Sequence, residues 1–133
     1  MMKRALLVFS FVLLATILLA ACAAPGNQMV TLSGADAGKT VALHPGDTLV
    51  IQLAGNPTTG YNWDVSKVDA SILQAQGDVQ FTPDTKAVGS GGTVVLTFLA
   101  ASAGQTQLQL AYHRSWEAGV APLQTFEVTI VVK

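Results

Sequence analysis

The chain has 133 residues, half of them hydrophobic, with seven Lys and Arg against eight Asp and Glu and a formal net charge of −1. The lysines Lys39, Lys67, Lys86 and Lys133 are scattered, so no basic patch exists to neutralise phosphates and nucleic acid is excluded as an expected partner. A single cysteine excludes an internal disulfide, and the length suits one domain that must rely on its own core.

At the start, Lys3 and Arg4 precede an apolar run from Ala5 to Leu19, interrupted only by Ser10 and Thr16. Its fifteen residues fall short of the roughly 20 that a membrane span needs, and suit the apolar core of a secretory leader. The run ends in Leu19-Ala20-Ala21-Cys22, which resembles a bacterial lipobox. That resemblance implies cleavage before Cys22 and acylation of its thiol and new amine. Several acyl chains anchor firmly, since each buried CH₂ contributes about 0.8 kcal/mol. The expected division is therefore residues 1–21 as leader, 22–29 as lipidated cysteine and flexible tether, and 30–133 as the exported domain. Removing 1–21 leaves 112 residues and takes away two basic groups and no acids, so the net charge becomes −3.

From Val30 onward the hydrophobic period is two residues. The clearest strands are Thr48–Leu53, Val94–Leu99, Gln105–Tyr112 and Phe126–Val132, all rich in β-branched or aromatic residues. Weaker strand signals lie at Val30–Leu32, Thr40–Leu43, Tyr61–Val65 and Ile72–Phe81. Turn formers separate them at His44–Asp47, Asn56–Gly60, Ala100–Gly104 and Ala118–Pro122. Ser66–Leu73 has room for one short helical turn. Seven or eight short strands in about 100 residues predict an all-β fold, an immunoglobulin-like antiparallel β-sandwich without its disulfide. Trp63 shares the face of Tyr61, where packing between sheets is favoured over contact with a ligand.

Three segments break the strand pattern: Asn56-Pro57-Thr58-Thr59-Gly60-Tyr61, Gly89-Ser90-Gly91-Gly92 and Arg114-Ser115-Trp116-Glu117. Pro57 fixes φ and Gly60 can take φ > 0, so the first can be rigid before it binds anything. The glycines of the second permit close approach of another backbone. Arg and Trp in the third are residue types enriched in binding hot spots. In this order and spacing, with Tyr112 and His113 before the last segment, the three resemble the chagasin family of cysteine-peptidase inhibitors.

That resemblance implies three neighbouring loops that enter the active-site cleft of a papain-like cysteine peptidase and block it without being processed. Thr58 would sit against the catalytic cysteine. The Gly89–Gly92 loop would run along extended backbone of the enzyme. Trp116 would lie beside the catalytic histidine, Arg114 would make polar contacts at the rim, and Glu117 is a candidate for holding the loop. The family usually has proline where Ser115 stands; its loss frees φ and implies a looser third loop and a lower affinity.

Catalysis by the chain itself is not expected. His44 and His113 have no partners at metal-ligand spacing, and the one thiol is assigned to lipid. Asp64 and Glu117 are of the right type for an acid/base pair, but isolated carboxylates are far more often surface groups. No cofactor or metal is implied. The expectation is a monomeric inhibitor tethered through Cys22 to the cell envelope, on the outer face of the plasma membrane or in the periplasm if an outer membrane is present. The competing expectation is a structural or adhesive envelope lipoprotein that binds a protein or glycan on the same sandwich.

Overall fold

The computed structural model describes residues 27–133. The leader, Cys22 and residues 22–26 of the expected tether lie outside the described residues. Nine strands follow in chain order: β1 (Met29–Ser33), β2 (Thr40–Leu43), β3 (Thr48–Gly55), β4 (Asn62–Lys67), β5 (Leu73–Ala75), β6 (Gln80–Pro83), β7 (Gly92–Ala100), β8 (Gly104–His113) and β9 (Gln124–Val132). They form the expected sandwich. One sheet has the order β1-β3-β7-β5, with β6 also paired to β7, and the other has the order β2-β9-β8-β4.

Two features differ from the sequence reading. The pairs β1–β3 and β2–β9 are parallel, whereas every other pair is antiparallel. β1 and β2 are neighbours in sequence but lie in different sheets, joined through a 3-10 turn at Gly34–Asp36. Neither is joined to its partner by a tight turn, since β2 intervenes between β1 and β3 and β9 lies at the far end of the chain from β2, so no hairpin dictates the direction of pairing. In addition, the run Ile72–Phe81 is two strands. Gly77 takes φ +65 and interrupts it, and both pieces then pair with β7, at Leu73–Ala75 and Gln80–Pro83. The short turn expected after Ser66 is present, with the amides of Ile72 and Leu73 donating to the Asp69 carbonyl and the Ser71 amide and hydroxyl donating to its carboxylate.

The core follows from the alternation. Leu49, Ile51 and Leu53 of β3 and Val94, Leu96 and Phe98 of β7 face Leu108, Leu110 and Tyr112 of β8 and Phe126, Val128, Ile130 and Val132 of β9. Each such aliphatic side chain contributes roughly 1.5–3 kcal/mol on burial. Trp63 is core, as expected, and only 3% exposed. Its Nε1 donates to the Ala54 carbonyl at 3.0 Å, which ties β4 of one sheet to β3 of the other.

This topology sorts the connections between two poles. β3, β6 and β8 end, and β4, β7 and β9 begin, at one pole, where Gly55 pairs with Gly92, Asn62 with His113 and Tyr112 with Gln124. The first described residues enter at the other pole, where Met29 pairs with Thr48 and Leu43 with Val132. Asp47 is buried there. Its carboxylate accepts from the His44 amide at 2.8 Å and the Gln28 amide at 3.0 Å, and these bonds hold its pKa below the ordinary value.

Candidate functional site

All three segments singled out in the sequence lie at the first pole. Loop 1 connects β3 to β4, loop 2 connects β6 to β7, and loop 3 connects β8 to β9.

Loop 1 is a 3-10 turn over Pro57–Thr59, entered through Asn56 in an extended conformation and closed by Gly60 at φ +83. Proline in the first turn loses no hydrogen bond that the turn would have made, and Asn56 caps it: Oδ1 accepts from the Thr58 amide at 3.2 Å and the Thr58 hydroxyl at 2.5 Å. The Asn56 carbonyl accepts from the Thr59 hydroxyl at 2.6 Å and the Thr59 amide at 3.2 Å. The Gly60 amide donates to the Pro57 carbonyl at 2.9 Å. The loop is therefore rigid through its own bonds.

Asn56 also reaches beyond loop 1. Its Nδ2 donates to the Gly89 carbonyl of loop 2 at 3.0 Å, and its backbone amide donates to the Tyr112 hydroxyl at 2.9 Å. Loop 2 folds on itself through the Ser90 hydroxyl, which accepts from the Thr85 amide at 3.3 Å and donates to the Gly91 carbonyl at 2.8 Å. Gly89 is exposed at φ +81 with open space around it. Gly92 has a different role. It is the buried first residue of β7, and a Cβ there would run into the Thr82 carbonyl of β6. Its missing side chain lets two strands of the domain approach each other.

Loop 3 opens with a tight turn in which the Glu117 amide donates to the Arg114 carbonyl at 3.1 Å. Arg114 is engaged within the site. Nε donates to the Thr59 carbonyl at 3.0 Å, Nη1 meets Glu117 Oε1 at 3.1 Å, and the guanidinium lies 4.4 Å from the Tyr61 ring centroid. Glu117 thus holds Arg114, and Arg114 holds loop 1 against loop 3. Trp116 stands out at 67% exposure, its ring edge resting on Gly60. Ser115 lies exposed between them.

Some of this could not be read from sequence. Tyr112 reads there only as the core residue at the end of a strand, yet its hydroxyl bonds loop 1; the two partners are 56 residues apart. The one available signal is a tyrosine on the core face immediately before the arginine-tryptophan run. Two further apolar side chains, Val88 of loop 2 and Val120 of loop 3, are exposed at this pole. Asp64 and Glu117 do not face one another as a pair: Asp64 Oδ2 is 2.7 Å from His113 Nε2, while Glu117 binds Arg114. Among the described residues no group of three or more His, Cys, Asp or Glu is placed to hold a metal ion.

The pole thus carries three loops braced against one another by the Asn56–Gly89 and Arg114–Thr59 hydrogen bonds. The family profile described as Chagasin family peptidase inhibitor I42 matches residues 42–130, a span that contains all three loops. The chain belongs to the chagasin family of cysteine-peptidase inhibitors. Chagasin-family members are inhibitors and not themselves enzymes. Chagasin of Trypanosoma cruzi is 32% identical over 86 residues, covering 59% of this chain and 76% of that protein. Amoebiasin-1 of Entamoeba histolytica is 30% identical over 97 residues, covering 71% of this chain and 90% of its own. Among solved structures, the cysteine protease inhibitor EhICP2 from Entamoeba histolytica superposes with a TM-score of 0.71 at 25% identity, over 80% of this chain and 96% of that one.

Proposed function

We propose that this protein is a reversible, competitive inhibitor of papain-like cysteine peptidases that sets its three-loop pole into the active-site cleft. The observation that carries this reading is the cross-bracing of segments far apart in sequence: Asn56 of loop 1 to Gly89 of loop 2, and Arg114 of loop 3 to Thr59 of loop 1. A surface held in one shape before association avoids the entropy cost of ordering loops on the enzyme.

The chemistry of loop 1 accounts for resistance to cleavage. Endopeptidases cut chains laid out in extended form, whereas the carbonyls of Asn56 and Pro57 are turned into a closed 3-10 turn by Thr59 and Gly60. Thr58 at the crest of the turn meets the catalytic thiol, with the Asn56 and Pro57 carbonyls before it committed to the turn. Trp116 supplies flat apolar area beside the catalytic histidine, and loop 2 lies along the enzyme's cleft wall. Arg114 works from within the site by fixing the relation of loops 1 and 3. The name of the Entamoeba histolytica structure, a cysteine protease inhibitor, agrees with this reading.

The lipobox-like run Leu19-Ala20-Ala21-Cys22 supports a lipid anchor at Cys22 in the cell envelope as part of this proposal. Met29 pairs with Thr48 at the pole opposite the loops, so a tether from Cys22 would join the domain at the end away from them. Titrating papain with the purified protein tests the inhibitor reading. Stoichiometric loss of peptidase activity is expected, and full activity in the presence of micromolar folded protein would refute it.

A further inference from the structure

We propose that Tyr112 is a positioning residue for inhibition: its hydroxyl fixes the backbone of Asn56 and so sets the shape of loop 1. The inference rests on the inhibitor reading for its functional consequence and on the fold alone for its structural part.

Tyr112 is 7% exposed, on the core face of β8, so its ring lies inside the domain and away from any partner docked on the pole. The ring is held on two sides, with centroids 5.0 Å from Trp63 and 5.3 Å from Tyr61. The polar edges of these aromatic side chains grip the chain as it leaves β3. Trp63 Nε1 donates to the Ala54 carbonyl at 3.0 Å, and two residues later the Asn56 amide donates to the Tyr112 hydroxyl at 2.9 Å. Asn56 is the residue that caps the loop 1 turn and reaches the Gly89 carbonyl, so fixing its amide fixes loops 1 and 2 together. Two residues beyond Tyr112, Arg114 grips the Thr59 carbonyl and covers Tyr61. Tyr112 therefore stands where the supports of all three loops meet. Space-filling alone would require only the ring. The hydroxyl has the separate task of accepting an amide that otherwise has no protein partner at the mouth of the sandwich.

The test uses Tyr112→Phe, which keeps the ring and deletes the hydroxyl, and Leu110→Val as a control that loosens the same face of β8 without touching Asn56. Amide exchange at Asn56, Thr58 and Gly60 is followed by NMR, and association and dissociation rates with papain are measured well below the unfolding temperature. The proposal expects faster exchange in loop 1 for Tyr112→Phe only. It also expects association to slow by about three- to tenfold, the range of one net hydrogen bond, with dissociation changed by less than about twofold. Unchanged loop 1 exchange, unchanged association, or an equal loss in Leu110→Val overturns it. Failure of the unsubstituted protein to inhibit papain would refute the inhibitor reading separately, and loop 1 exchange would then decide the role of Tyr112 by itself.

Discussion

Gly60 lies directly beneath the indole of Trp116: a Cβ at Gly60 would collide with Trp116 Cη2, and the backbone there is left-handed at φ +83. One glycine thus closes loop 1 and seats the most exposed aromatic side chain of loop 3. Gly60→Ala is expected to strain the turn by roughly 1 kcal/mol and to lift the indole from its seat. The outcome should be a lower thermal midpoint, a shift in tryptophan fluorescence and papain inhibition at least about tenfold weaker. Unchanged fluorescence and inhibition would separate the two loops.

Trp116→Ala should act on binding and not on folding. The side chain is 67% exposed, so little core area is lost with it. As a central anchor it should cost about 2 kcal/mol of association, roughly 30-fold in the inhibition constant, with the unfolding midpoint nearly unmoved. Inhibition constants and urea unfolding curves measured on the same preparation check both halves. A folded variant with full potency would remove Trp116 from the site.

Two glycines of the second segment should respond differently to the same substitution. At Gly92 a methyl group meets the Thr82 carbonyl inside the β6–β7 pair, and overpacking of this kind costs roughly 1–3 kcal/mol. At Gly89 the space is open, and only the left-handed backbone at φ +81 opposes alanine, at about 1 kcal/mol. Urea midpoints should therefore fall further for Gly92→Ala than for Gly89→Ala. The reverse order would contradict the assignment of Gly92 to the sheet.

Acid should weaken the far pole. Asp47 is held below the ordinary aspartate value of 3.8, first by the His44 amide and then by the Gln28 amide. A carboxylate whose pKa is lowered by folding contributes stability that is fully present above its unfolded value and is lost as pH falls through the folded one. The unfolding midpoint should hold from neutrality to about pH 4 and decline below it. Asp47→Asn should be less stable at pH 7 and show a flatter decline in acid. Parallel acid profiles for the two proteins would assign the decline to other groups, Asp36 and Asp69 among them, whose values are also lowered.

What the sequence made legible was local. β2 and the alternation in β3, β7, β8 and β9 follow from period-two burial, because a residue's own neighbours decide which face it takes. The three loop segments were visible for the same reason, as turn formers between strands. Contacts decided by the meeting of distant segments were not visible. Nothing near Asn56 announces Tyr112, nothing near Gly92 announces Thr82, and nothing in Arg114 says that its guanidinium is turned inward to Thr59 and Tyr61. The parallel pairing of β1 with β3 and of β2 with β9 belongs to the same class, since it depends on which strand stands at a sheet edge after folding.

The most direct test of the inhibitor account is protection of the catalytic thiol. Papain is incubated with the protein, challenged with a small irreversible thiol alkylator, and both chains are then weighed by mass spectrometry. Occupation of the cleft by the three loops predicts a catalytic cysteine shielded in proportion to added protein, and a protein recovered uncut. Alkylation at the free-enzyme rate in the presence of excess folded protein would contradict the account.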